Sequence, residues 1–146
     1  MSLSHQYCTF LLDGHLFGVP VSSVQEVLKQ QELTPVPLAS PEVTGLINLR
    51  GQIVTTLELR TRLSLPPRGD GMSAVNVVVR TPDGGVVSLL VDEIGDVVEP
   101  GESAFEPVPE TVPSHVRALV TSVCKLDGQL MLVLDTDLAV HVASGA

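Results

Sequence analysis

The sequence predicts an all-β fold, in which two small β-barrels pack around a shared core and carry a few short helices. The Asp-Gly dipeptides at residues 13–14, 83–84 and 127–128 each lie between two apolar runs, a pattern typical of β-hairpins. A fourth pair of apolar runs flanks Arg50-Gly51, and no long segment has the spacing of an amphipathic helix. Four hairpins give about eight strands.

The strands are the apolar runs beside each turn, because β-branched residues suit a pleated surface and glycine adopts positive φ at low steric cost. In chain order the paired runs are residues 7–12 and 16–19, 46–49 and 53–57, 76–80 and 86–91, and 120–126 and 130–135. A type I′ turn is expected at each Asp-Gly, since this turn needs positive φ at both central residues.

Helical patterns are short. Residues 20–28 predict one helix, because Pro20 lies in its first turn and four apolar residues fall on one face. Those four are Val21, Val24, Val27 and Leu28. Residues 113–119 and 135–142 predict helices of one or two turns.

We expect residues 1–146 to form one domain with two sub-barrels, approximately residues 15–75 and 76–140. The amino-terminal strand, residues 6–13, is expected to be shared with the second sub-barrel. The proline-rich segment 65–71 separates the two strand sets, and it is the segment that we expect to be mobile.

Composition limits the classes of partner. Aromatic residues make up 3% and tryptophan is absent, so few rings are available to stack on bases or sugars. The net charge of −9 argues against nucleic acid and against an anionic membrane as partner. Residues 81–146 carry this whole net charge, and residues 92–110 hold seven acids and no base. This segment is interpreted either as a solvated face or as a surface that orients a basic partner.

A cytoplasmic location is expected. No basic region followed by an apolar stretch marks a signal peptide, and no apolar run reaches the ~18 residues of a membrane span. Cys8 and Cys124 form no CxxC pair, so both are expected to be reduced and packed as small apolar groups.

The sequence contains no recognisable catalytic, metal or cofactor pattern, with no GxSxG, HExxH, P-loop, GxGxxG or EF-hand motif. Asp92, Glu93 and Asp96 are expected to point to solvent rather than to bind a cation. The four histidines lack metal-ligand spacing and are expected at the surface. They are His5, His15, His115 and His141.

Glu26 and Arg50 are the polar residues for which the sequence predicts a specific contact with each other. Glu26 lies in the predicted helix of residues 20–28, Arg50 lies beside a turn glycine, and the two are candidates for a charge-assisted pair. Such a pair would either pin the helix onto the barrel or stiffen a binding groove at that place.

The segment from Gly45 to Gly51, GLINLRG, and the later triplet Glu58-Leu59-Arg60 resemble the signature of the CheW family of bacterial chemotaxis coupling proteins. Four further segments are similar to that family in the same order, so that the resemblance extends over residues 7–140. They are residues 16–19, 24–27, 88–97 and 126–135.

The resemblance implies two five-stranded barrels and an adaptor without catalytic activity, cofactor or small-molecule substrate. Such adaptors join the cytoplasmic tip of a chemoreceptor to the regulatory domain of the CheA histidine kinase. The groove between the barrels binds the receptor's helical hairpin, and the barrel ends bind the kinase. Carried over by position, the receptor- or kinase-binding residues are Val24, Glu26, Gly45, Asn48, Arg50, Gly51, Ile94 and Val97.

Five positions depart from the family pattern, three of them where the family has a glycine in the second barrel. Thr55 replaces a proline, Glu58 an aspartate, and Ser88, Ser122 and Cys124 replace glycines. An adaptor of another chemosensory pathway, such as one controlling pili, is therefore an alternative. A small-ligand-binding β-barrel is a further alternative, which the scarcity of aromatic and convergent polar residues disfavours.

Overall fold

The computed structural model describes residues 6–141, and it confirms a β-rich fold with short helices. Within these residues there are eleven strands and three α-helices. The strands are β1 (Tyr7–Leu12), β2 (His15–Pro20), β3 (Val24–Lys29), β4 (Val43–Leu49), β5 (Gln52–Glu58), β6 (Val75–Arg80), β7 (Val86–Val91), β8 (Glu93–Val98), β9 (Phe105–Glu106), β10 (Val120–Leu126) and β11 (Gln129–Leu134). The helices are α1 (Leu59–Arg62), α2 (Ser114–Arg117) and α3 (Thr136–Val140).

All four predicted hairpins are present as antiparallel pairs: β1–β2, β4–β5, β6–β7 and β10–β11. The turn geometry is less uniform than expected. Both central residues have positive φ at Asp13-Gly14 and at Arg50-Gly51, as a type I′ turn requires. In the other two hairpins only glycines, Gly84 and Gly128, have positive φ.

The strands form two mixed sheets rather than the closed barrels that the sequence predicted. The terminal sheet has the order β8-β1-β2-β11-β10-β9, and the central sheet has the order β3-β6-β7-β5-β4. Each sheet contains one parallel pair, β2 with β11 and β5 with β7. The barrels do not close because the two edge strands of each sheet do not pair with each other.

The boundary between the sheets differs from the predicted division at residue 76. Strands β6 and β7 belong to the central sheet, because β7 pairs with β5 and β6 with β3. Strand β2, placed by prediction in the first sub-barrel, lies in the terminal sheet between β1 and β11.

The predicted helix over residues 20–28 is wrong. A single 3-10 turn, Val21–Ser23, leads into strand β3, which pairs with β6. Burial in β3 alternates between half-buried and exposed residues, as in a strand with one face toward the protein. The helices predicted near residues 113–119 and 135–142 are confirmed as α2 and α3.

Three apolar clusters hold the structure. The main core lies between the two sheets, where Phe10 and Phe17 stack at a centroid distance of 6.1 Å and pack with strands of the central sheet. A second cluster, Ile47, Leu49, Val54 and Val78, lies within the central sheet. The third, Cys124, Met131 and Val133, lies within the terminal sheet. Cys8 and Cys124 are buried free thiols, as predicted.

Candidate functional site

The predicted pair of Glu26 and Arg50 is present. Arg50 Nη1 donates to Glu26 Oε1 at 3.1 Å, and Nη2 contacts Glu26 Oε2 in a bidentate salt bridge. The hydrogen bond from Arg50 lowers the pKa of Glu26, so that the carboxylate stays ionised. The Arg50 side chain is 67% exposed, so this pair alone adds little to stability.

The turn that carries Arg50 is fixed by its neighbours. Arg50 and Gly51 have φ values of 51° and 90°, and Asn48 Oδ1 accepts a hydrogen bond from the Gly51 amide at 2.8 Å. Glu26 belongs to β3, and Arg50 lies in the β4–β5 turn directly after β4. Since β3 and β4 are the two edge strands of the central sheet, the salt bridge links the two edges of that sheet. Four predicted site residues, Glu26, Asn48, Arg50 and Gly51, therefore belong to one surface, which we call the turn surface.

Gly45 and Val24 support this region of the central sheet. A Cβ atom on Gly45 would lie 2.7 Å from the Thr34 carbonyl oxygen, so only glycine lets the chain at Thr34 pair with β4. Val24 is half-buried and packs against the main core, and Arg80 Nη1 donates to its carbonyl at 3.0 Å. Val24 lies at the start of β3 and Gly45 near the start of β4, so both belong to the central sheet.

Ile94 and Val97 lie on the other sheet, on edge strand β8. Their side chains are 40% and 57% exposed, and a register shift in the β1–β8 ladder lies between them. All five residues from Glu93 to Val97 are exposed, so both faces of this part of β8 are open to solvent. We call these two side chains and the open edge of β8 the edge surface.

The edge surface lies within the acidic segment 92–110, and Glu93 and Asp96 are its acidic neighbours on β8. Six of the seven acidic residues of the segment are exposed, in agreement with a solvated face. The exception is Asp92, which is buried, so its predicted orientation toward solvent is wrong.

Asp92 is the centre of a buried ion cluster that sequence reasoning missed. It accepts hydrogen bonds from Arg60 Nε at 2.9 Å, from Arg68 Nε at 3.0 Å and from the Asp13 amide at 2.9 Å. Arg68 also binds Glu58 at 2.6 Å. The segment 65–71, expected to be mobile, is therefore anchored at Arg68. The available sequence signal was the group of three arginines at positions 60, 62 and 68 among apolar residues.

A groove of about 650 Å³ lies between the central sheet and helix α3, and sequence reasoning did not predict its walls. We call it the inter-sheet groove. Apolar residues from β4, β5 and β7 form one wall, and α3 with His141 forms the other. Three lining residues, Val43, Val87 and Val140, also pack against the main core, so the groove opens onto that core. Its lining residues are Val43, Thr55, Leu57, Thr81, Pro82, Asp83, Gly85, Val86, Val87, Asp137, Val140 and His141.

The structure offers little for metal chemistry. Residues 6–141 contain no group of three or more histidine, cysteine or acidic side chains able to hold a metal ion. His15, His115 and His141 are exposed, as expected, whereas His5 lies outside the described residues. None of the helices described is long and apolar enough to cross a membrane.

Two sheets around a shared core, with an apolar groove on one and an exposed apolar edge on the other, are typical of a protein-interaction domain. The CheW-like domain model matches residues 6–143. The chain belongs to the CheW-like domain family.

Similar proteins support the same assignment. The chain is 30% identical over 130 residues to Chemotaxis protein CheW of Bacillus subtilis, a match covering 88% of this chain and 81% of that protein. It is 30% identical over 131 residues to Chemotaxis protein CheW of Thermotoga maritima, covering 88% and 83%. The crystal structure of the scaffolding protein TtCheW from Thermoanaerobacter tengcongensis has a TM-score of 0.85 and 26% identity, covering 96% of this chain and 94% of that one.

Proposed function

We propose that this chain is a non-enzymatic adaptor of a bacterial chemosensory pathway, which couples a chemoreceptor tip to the regulatory domain of a CheA-type histidine kinase. The observation that carries the proposal is that two distinct surfaces lie on two different sheets of one rigid frame. A coupling protein needs two such surfaces, because it must hold two partners at the same time. Membership of the CheW-like family supports this role, since similar proteins are named as chemotaxis and scaffolding proteins.

The inter-sheet groove is the proposed receptor site. Val43, Val86 and Val87 are half-buried and give it an apolar floor, which suits the i, i+3 and i+7 side chains of an amphipathic helix. The turn surface is proposed to hold the central sheet in shape, with Arg50 and Glu26 fixing β3 relative to the β4–β5 turn. A receptor tip made of helices offers the chemistry that this groove would bury.

The edge surface is the proposed kinase site. Ile94 and Val97 present exposed apolar side chains on a strand whose outer edge has no partner strand among residues 6–141. Burial of these side chains against a second β-rich domain would add apolar contact, and the acidic residues around them would set its orientation. The proposed partners place the adaptor's action in the cytoplasm, without a cofactor or a small-molecule substrate.

A binding experiment with separated partners tests this function. Titration calorimetry measures the affinity of the chain for a chemoreceptor signalling fragment and for a kinase regulatory domain. The Arg50→Ala variant is expected to bind the receptor fragment about tenfold more weakly, equivalent to about 1.4 kcal/mol, with its kinase affinity unchanged. Lys29→Ala, a change of an exposed cation at the end of β3, is the matched control.

If the wild-type chain bound neither the receptor fragment nor the kinase domain, the proposed function would be refuted. If Arg50→Ala kept wild-type affinity for the receptor fragment, the turn surface would have no part in receptor binding. An equal loss of affinity for both partners, together with a lower melting temperature, would show that the Arg50–Glu26 pair acts only on stability.

A further inference from the structure

Arg62 joins the two sheets at the far side of the inter-sheet groove. A single guanidinium nitrogen, Nη2, donates to the Leu138 carbonyl at 2.8 Å and to the His141 carbonyl at 3.2 Å. Arg62 ends α1, which directly follows β5 of the central sheet. The two carbonyls belong to Leu138 in α3 and to His141 directly after it; α3 follows β11 of the terminal sheet, so this contact bridges the two halves of the structure.

Helix α3 depends on such contacts for its position. It has only five residues, and a helix of that length is not stable by itself in water. The Leu138 carbonyl accepts from the His141 amide at 3.2 Å, and Arg62 gives it a second donor, as a basic side chain near a helix C-terminus can do. At the other end, Asp135 Oδ1 caps the helix by accepting from the Leu138 amide at 3.1 Å.

Helix α3 is also one wall of the inter-sheet groove. Asp137, Val140 and His141 line the groove, whereas Arg62 is not a lining residue. The Arg62 hydrogen bonds end on the backbone of His141, which lines the groove, and of Leu138, which directly follows the lining residue Asp137. A change at Arg62 would therefore move the wall without removing any atom that faces the groove.

We propose that Arg62 is a positioning residue for the binding of a receptor helix in the inter-sheet groove. It holds α3 at a fixed distance from the central sheet, so that the groove has the width of its partner before binding. This proposal rests on the proposed function, because it takes the groove as the receptor site. It adds a residue that the turn surface and the edge surface do not include.

Two substitutions distinguish the contribution of the hydrogen-bond donors of Arg62 from that of its aliphatic stem. Arg62→Met keeps an unbranched stem without donors, and it is expected to weaken binding of a receptor signalling fragment about tenfold, as loss of two charge-assisted hydrogen bonds can do. Arg62→Lys keeps a cationic donor and is expected to recover most of this affinity. Arg117→Met, on exposed helix α2, is the matched control.

Calorimetry with the receptor fragment and with the kinase regulatory domain gives the decisive comparison. Arg62→Met should leave kinase affinity within twofold of wild type, because the Arg62 hydrogen bonds end on residues 138 and 141, whereas the edge surface lies on β8. Amide hydrogen exchange of α3 in the unbound protein should become faster in Arg62→Met and return toward wild type in Arg62→Lys.

Three results would overturn the proposal. Unchanged receptor affinity in Arg62→Met would show that the wall needs no positioning, and an equal loss for both partners would show a purely structural role. Unchanged exchange of the α3 amides would show that Arg62 does not hold the helix. If the wild-type chain itself bound no receptor fragment, the proposed function would be refuted. If the wild-type chain and Arg62→Met bound it equally well, only the role of Arg62 would be refuted.

Discussion

Replacement of Asp92 by asparagine tests the buried ion cluster. The Asp92 side chain is 8% exposed, and two arginines and the Asp13 amide surround its carboxylate. Burial raises the pKa of Asp92, but hydrogen bonds from Arg60, Asp13 and Arg68 outweigh this effect and lower the pKa to about 2. The charged carboxylate is therefore the form that stabilises the fold.

The expected loss follows from that pKa. Its difference from the ordinary value of 3.8 corresponds to about 2 kcal/mol of folding free energy at neutral pH. Asp92→Asn also leaves Arg60, 4% exposed, without its main counter-ion, and breaking a buried pair typically costs about 3–5 kcal/mol. Arg60 still lies 4.0 Å from Asp13 and donates to the Pro66 carbonyl, so we expect the lower end, about 3 kcal/mol.

Urea and thermal unfolding measure this loss. For a chain of 146 residues, about 3 kcal/mol corresponds to a decrease in Tm of roughly 10 °C. Glu93→Gln, which changes the exposed neighbouring acid, is the control and should stay within about 0.5 kcal/mol of wild type.

The pH dependence of the stability difference between wild type and Asp92→Asn tests this explanation. Because folding lowers the pKa of Asp92, its contribution is fully present above about pH 4 and is lost as the pH falls toward 2. The difference in stability between wild type and Asp92→Asn should therefore shrink as the pH falls from 5 to 2. A variant as stable as wild type at pH 7, or a difference that stays constant with pH, would refute this reasoning.

Three further predictions concern other parts of the frame. Ser88→Ala removes the acceptor 2.8 Å from the fully buried Asn76 amide, and chemical unfolding should show a loss of about 1–3 kcal/mol, which is smaller in an Asn76→Ala background. Gly45→Ala places a methyl group 2.7 Å from the Thr34 carbonyl, and a loss of about 1–3 kcal/mol is expected by thermal unfolding. Val97→Asp puts a charge on the edge surface, and calorimetry should show weaker binding of the kinase domain with receptor binding unchanged; equal binding of the kinase domain would exclude Val97 from that interface.

Local turn chemistry made the hairpins predictable. An Asp-Gly or Arg50-Gly51 turn between apolar runs determines which strands are adjacent and antiparallel, and all four pairs formed. The Glu26–Arg50 pair was predictable because each charged residue stands near apolar residues that leave it few other partners. The roles of these residues in partner binding stay predictions.

Strand β3 shows why local patterns were not sufficient. The apolar residues of 20–28 have helical spacing, and Glu26 stands at a position that faces the protein in the strand. These residues form a strand because they pair with β6, which lies about 50 positions further along the chain and outside any local sequence window. For the same reason the parallel pairs β2–β11 and β5–β7, and with them the sheet boundary, could not be derived from neighbouring residues.

Asp92 illustrates a second limit. It lies in a run of seven acids, and the six others are exposed, so the composition of the segment predicted exposure for all. Its burial depends on Arg60 and Arg68, which lie 32 and 24 positions away along the chain. The walls of the inter-sheet groove have a similar origin, because α3 meets the central sheet only in the folded structure.

Sedimentation velocity of a three-component mixture tests most directly whether this chain links two macromolecules. The mixture contains the wild-type chain, a soluble chemoreceptor signalling fragment and a histidine-kinase regulatory domain. The adaptor role predicts one faster boundary that contains all three species and that disappears when the chain is omitted. Displacement of one partner by the other, or three independently sedimenting species, would contradict it.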